Sequence, residues 1–231
     1  MSAPEAYIEW VNAHLGFNPR SQANSNALSG FIVADLRHDC PALLTHLDSE
    51  KLVSADNADV RTKVTTRNVD LVLKETKPNE LVRVSVENKT IMAAHGKARK
   101  NRYGDIIAYC NHLHNHRREC IAAGVVIINC SATYENPDEF AKGLVRPRFD
   151  MRKIVRDTVK LFADVPLRNN PDEPNDQPEA MAVILIDYDG QKPARLVVSA
   201  EYSAPEASSP IHYQSFIRRL CDLYTRRFGR A

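Results

Sequence analysis

Two carboxylates and an ammonium, Asp70, Glu87 and Lys89, interrupt the valine-rich stretch from Val69 to Thr90. Together these side chains offer oxygens that could hold a hard cation, with a positive charge beside them. The stretch has an apolar run on each side of Pro78-Asn79, the pattern of a β-hairpin. Side chains alternate faces along a strand, so Val82, Val84 and Val86 should point one way and Ser85, Glu87 and Lys89 the other. With Pro78-Asn79 at the centre of the turn, Asp70 falls directly across from Glu87, and Lys89 comes next along that face. Opposed Cβ atoms lie about 4.5–5.5 Å apart. Two unpaired carboxylates that close repel, and one has its pKa raised. A divalent cation between them removes the conflict, so Asp70 and Glu87 read as a magnesium site.

Other elements must carry that hairpin. The chain has 231 residues, 43% of them apolar, enough for a substantial core. Helical spacing predicts helices over Pro4 to Leu15, about Gln22 to Arg37, and about Pro41 to Leu52, the last with Asp39 as its cap. The segment from Asp59 to Thr66 is polar and β-branched, which suggests a weak edge strand. A helix is expected from Arg99 to about Arg118, with Tyr103, Ile106, Ile107, Cys110 and Leu113 as its apolar stripe. Gly124 to Cys130 is a nearly continuous apolar run, the pattern of a strand buried on both faces. Further on, Phe149 to Phe162 is amphipathic, and Pro166 to Pro178 reads as a loop or hinge. Met181 to Asp187 and Arg195 to Ala200 flank the turn signal Asp189-Gly190, and a last helix should span Pro210 to Arg227. The order predicts a single α/β domain over 1–231, with a central mixed sheet flanked by helices.

Asp70, then a hairpin, then Glu87-Asn88-Lys89 resembles the active-site signature of the PD-(D/E)XK nuclease superfamily, home of many restriction endonucleases. That family's core runs helix, three strands, helix, strand, the order read here from about Pro41 to Cys130. On the resemblance, 1–40 and 131–231 are elaborations of this core, the latter adding a C-terminal hairpin and helix. Val69 stands where the family has proline, and Asn88 where an apolar residue is usual. The resemblance implies a magnesium-dependent endonuclease of double-stranded DNA, most simply a type II restriction enzyme, leaving 5′-phosphate and 3′-hydroxyl ends. It implies catalytic roles for Asp70, Glu87 and Lys89, with Asp70 and Glu87 holding Mg2+. A repair or recombination nuclease on the same core, or a non-catalytic DNA-binding module, are the alternatives. A duplex has two strands to cut, so a homodimer fits.

His95-Gly-Lys-Ala-Arg-Lys-Asn-Arg102 follows the trio, and Lys97, Arg99, Lys100 and Arg102 suit DNA phosphates as a loop entering a helix. Glu50 is a candidate auxiliary carboxylate, with a solvated role the simpler expectation. Asp105, Tyr109, His112 and His116 form one helical stripe that either faces the cleft or, as the simpler reading, is polar surface. Alternate residues on a helix do not converge, so His112, His114 and His116 are not expected to share a metal. The arginines Arg218, Arg219, Arg226, Arg227 and Arg230 suit either a DNA backbone or solvent. The five cysteines are widely spaced and form no Cys-x-x-Cys pair, as expected of buried thiols in a reducing compartment. With no apolar run of membrane-spanning length and no secretory leader, a cytoplasmic protein is expected. A net charge of +2 neither demands nor excludes nucleic acid, and clustered cations can still present a basic face.

Overall fold

The computed structural model describes residues 1–16, 18, 21–63, 65–76, 78, 80–134 and 150–229. Its elements are α1 (Ala3–Ala13), α2 (Gln22–Asp39), α3 (Pro41–Asp48), β1 (Leu52–Arg61), β2 (Thr66–Glu75), β3 (Val82–Ile91), α4 (His95–His116) and β4 (Ile121–Asn129). Then come α5 (Met151–Ala163), β5 (Ala180–Asp187), β6 (Arg195–Leu196), a single 3-10 turn (Ala200–Tyr202) and α6 (Tyr213–Phe228). The strands make one six-stranded sheet in sequence order. β1, β2 and β3 are mutually antiparallel, β3, β4 and β5 run parallel, and β6 returns antiparallel. The fold is α/β, a mixed sheet with helices on both faces.

Two apolar layers account for that architecture. On one face Leu71, Val84, Val86 and Ile127 pack against Tyr7 of α1, Leu28 and Ile32 of α2, Leu43 of α3 and Phe216 and Leu220 of α6. On the other, Val72, Val126 and Ile128 pack against Ile106 and Leu113 of α4 and Val155 and Phe162 of α5. β4, at the middle of the sheet, is buried at every position, which is why its sequence is apolar without alternation. Among the described residues, no helix is long and apolar enough to cross a membrane. All five cysteines are buried and unpaired.

Several boundaries differ from the expectations, each for a local reason. α3 stops at Asp48, and Glu50 follows in the left-handed region at φ 55°, which ends the helix before Leu52. Its N-cap is Cys40 and not Asp39. Leu52 instead opens β1, which occupies the sheet edge and exposes Ser54, Asp56, Asp59 and Arg61, one of its sides having no strand partner among the described residues. α4 begins at His95, after Ala94 in the left-handed region at φ 50°. His95 Nε2 is hydrogen-bonded to the Asn129 carbonyl at 2.7 Å, which pins that start to the end of β4. The residues expected as a basic loop are therefore the first two turns of a helix. β6 closes the Asp189-Gly190 hairpin but is only a two-residue strand.

A buried ion cluster locks the C-terminal half. The Glu179 carboxylate, fully buried, accepts from His114 Nε2 (2.9 Å), the Ala122 N–H (2.8 Å), Arg168 Nη1 (2.9 Å) and Arg227 Nη1 (2.9 Å). Arg168, itself fully buried, also donates to the carbonyls of Arg118 and Pro171, so the proline-rich segment expected as a loop or hinge is a loop that is tied down. Arg219 donates to the carbonyls of Glu179 and Arg168. Two of the C-terminal arginines are thus structural. Burial alone would raise the Glu179 pKa, but the hydrogen bond and charge of His114, the Arg227 charge and the Ala122 N–H outweigh it and hold the carboxyl below its usual 4.5.

Removing one partner of such a cluster strands the others in a dry interior. Glu179→Gln is expected to lower unfolding free energy by ~3–5 kcal/mol in urea titrations at neutral pH. A group with a depressed folded pKa contributes fully above its unfolded value and loses that contribution as pH falls through its folded value. The penalty of the variant should therefore shrink in acid, and an unchanged urea midpoint at neutral pH would contradict the assignment.

Candidate functional site

The β2–β3 ladder ends with Leu71 opposite Val86, preceded by Val72 opposite Ser85 and Leu73 opposite Val84. Continued by one position, that register sets Asp70 across from Glu87, as the hairpin pattern implies. Nearer the turn a bulge at Leu73/Lys74 shifts the pairing so that Lys74 faces Val82. The extra residue flips Val82 away from the Val84–Val86 row, and it packs on the α4 side of the sheet. The register was therefore legible beside the carboxylates, while the turn end departs from it.

Asp70, Glu87 and Lys89 converge. Lys89 Nζ contacts Glu87 Oε1 and lies 3.9 Å from Asp70 Oδ2. Their side chains are 17%, 11% and 18% exposed, so the ammonium meets both carboxylates largely out of water. Burial pushes the Glu87 carboxyl above its usual 4.5; Lys89 opposes that shift, and the Asp70 charge adds to it. Behind Glu87, Tyr109 is fully buried and donates to Ser85 Oγ at 2.7 Å. Burial, reinforced by the Glu87 charge, raises the Tyr109 pKa. Of the stripe Asp105, Tyr109, His112 and His116, the tyrosine is therefore core beneath the carboxylates, while the other three are half-buried.

Helix α2 supplies contacts that the hairpin pattern does not announce. Ser25 Oγ donates to Asp70 Oδ1 at 2.6 Å, and Ser29 Oγ donates to the Asp70 carbonyl at 3.1 Å. The Asn88 N–H donates to Asp70 Oδ2 at 2.8 Å, and Asn88 Nδ2 donates to Ser29 Oγ at 3.0 Å. Ser21, Ser25 and Ser29 recur every fourth residue. That spacing marks one polar helix face and was the available sequence signal for a helix pressed against a strand carboxylate.

Ser25, Asp70, Asn88, Lys89 and Arg102 share the walls of a cleft of about 250 Å³, floored in part by Ile127 of β4. The cleft opens beside the parallel pair β3–β4, close to the carboxyl ends of those strands, where open α/β sheets commonly take ligands. Arg102 Nη1 bonds Asp105 at 2.9 Å, while its Nε is buried with no hydrogen-bond partner among the described residues. Of the expected DNA contacts, only Arg102 lines this cleft. Arg99 sits 3.9 Å from Asp157 of α5, and Lys97 and Lys100 are exposed on the first turns of α4.

Glu50 does not join the site. It is exposed just before Leu52, which pairs with Glu75, five positions along β2 from Asp70 and so about 16 Å of strand away. His114 is committed to Glu179, which removes it from any histidine cluster on α4. No group of three or more His, Cys, Asp or Glu side chains suited to a metal ion occurs among the described residues. Comparison with known proteins adds no relative: no family model, curated protein or solved structure matches the chain.

A raised carboxyl pKa means the ionised form is disfavoured by folding, a cost that sets in as pH rises above the unfolded value and is absent when Glu87 is protonated in both states. Glu87→Gln should therefore raise the melting temperature of the metal-free protein at neutral pH. The advantage should vanish in acid below the usual carboxylate range. A lower melting temperature at neutral pH would show instead that Lys89 fully compensates the buried charge.

Proposed function

We propose that this chain is a magnesium-dependent endonuclease of double-stranded DNA, built on a restriction-endonuclease-like core and cutting at specific sites. The observation that carries the reading is the convergence of Asp70 and Glu87, from adjacent strands, on one ammonium at the wall of a cleft. The order α3, antiparallel β1–β2–β3, α4, parallel β4 supports it, being the order of that superfamily's core.

The donor chemistry suits magnesium. Magnesium is commonly held by one or two carboxylates and keeps several waters, so it does not need three protein ligands. Glu87 and Asp70 carry mutual repulsion that a cation relieves. In this reading Asp70 and Glu87 hold the ion, which when bound acidifies a water and polarises the phosphate. Lys89 donates to the attacking water or to the phosphate oxygens, stabilising negative charge that grows during the displacement. Arg102 lines the same cleft with its side chain 30% exposed and offers its guanidinium to a neighbouring phosphate. Cutting both strands calls for two such sites, which a homodimer supplies.

Plasmid DNA incubated with the purified chain is expected to yield discrete fragments with Mg2+ and none with excess chelator. Lys89→Ala should lose at least ~100-fold in cleavage rate while still retarding DNA in gel shifts. Retained cutting by that variant would remove the assignment. Smearing or structure-specific cuts would favour a repair nuclease, and binding alone a non-catalytic module. Arg102→Ala should weaken DNA binding across sequences and reduce the slope of log affinity against log salt by about 1. An unchanged slope would take Arg102 out of the phosphate path.

A further inference from the structure

We propose that helix α2 sets the cation affinity of this site through Ser25, acting as a positioning residue for Asp70; the proposal rests on the metal-site reading of Asp70 and Glu87. An aspartate carboxylate turns easily about its last side-chain bond, since that torsion is broad. Here each oxygen of Asp70 has its own donor: Ser25 Oγ at 2.6 Å on Oδ1 and the Asn88 N–H at 2.8 Å on Oδ2. The two donors come from different elements, α2 and β3, so the carboxylate plane is fixed between two layers of the fold. Each carboxylate oxygen accepts more than one bond, which leaves capacity on both for a cation.

The rest of α2 makes this clasp stiff. Ser29 Oγ holds the Asp70 carbonyl and is itself held by Asn88 Nδ2, so helix and strand are stitched on both sides of the carboxylate. Asn88 lies between Glu87 and Lys89 in the chain, and the clasp therefore registers Asp70 against its two partners. Without the Ser25 hydroxyl, Asp70 keeps its charge and its Asn88 contact but loses one of the two restraints on its plane. Loss of such an orienting partner typically weakens a metal site 10–100-fold without removing a ligand.

Full-length protein is titrated with Mn2+ by electron paramagnetic resonance, and plasmid cleavage is followed against Mg2+ concentration. Ser25→Ala is expected to raise the Mn2+ dissociation constant by about 10-fold or more. The Mg2+ midpoint for cleavage should move by a similar factor, with the rate at saturating Mg2+ largely recovered. Ser25→Thr, which keeps the hydroxyl, should return both values to near wild type. Should Ser25→Ala fail to fold, Ser25→Cys keeps the shape with a weaker donor and should show the same direction. Unchanged Mn2+ affinity in Ser25→Ala overturns the proposal and leaves the nuclease reading standing, as does an equal loss in the Ala and Thr variants. Wild type that binds Mn2+ but cuts no DNA overturns the nuclease reading, while the Mn2+ series still decides the role of Ser25. Wild type that binds no Mn2+ overturns both.

Discussion

Two carboxylates held close together and largely out of water repel, with little relief from solvent. Asp70 and Glu87 are in that situation, with Lys89 as a single counter-charge between them. The surrounding structure is arranged to keep the pair from separating. The antiparallel register of β2 and β3 brings the residues opposite, β4 pairs with β3 through Glu87 and Lys89, and α2 clamps Asp70 from the far side. Left without a ligand, this arrangement costs stability, as the raised Glu87 pKa indicates. Proteins keep such local costs where they serve binding or chemistry.

The Glu179 cluster shows the opposite solution to the same physics. There one buried carboxylate meets His114, Arg168, Arg227 and a backbone N–H, and its pKa falls below the usual value. Saturated with donors, it works as a fastener that joins α4, the segment before β5, and α6. The contrast is between a carboxylate that meets several cationic donors and a pair of carboxylates that share one ammonium. Glu87 and Glu179 are both buried, so burial alone does not account for the difference.

Much of the site was readable because it is local. Alternation along β3 and a turn near Pro78 sufficed to place Asp70 against Glu87, and the apolar run of β4 announced a strand covered on both faces. What escaped was either non-local or a matter of single residues in special conformations. Ser25 lies 45 residues before the carboxylate it contacts, and His114 lies 65 before Glu179, distances over which no periodicity speaks. Left-handed Glu50 and Ala94 moved the ends of α3 and α4, and with them Glu50 left the site and the basic segment became helix. The bulge at Leu73/Lys74 altered only the turn end of the hairpin, where hydrophobic alternation could not register one extra residue.

Anomalous diffraction from crystals soaked in Mn2+ would locate a cation by its own scattering, independent of any activity. The expected result is a peak within coordinating distance of both an Asp70 and a Glu87 oxygen, with Lys89 Nζ displaced from between them. A peak bound to only one of these side chains, or scattering confined to other parts of the molecule, would contradict it.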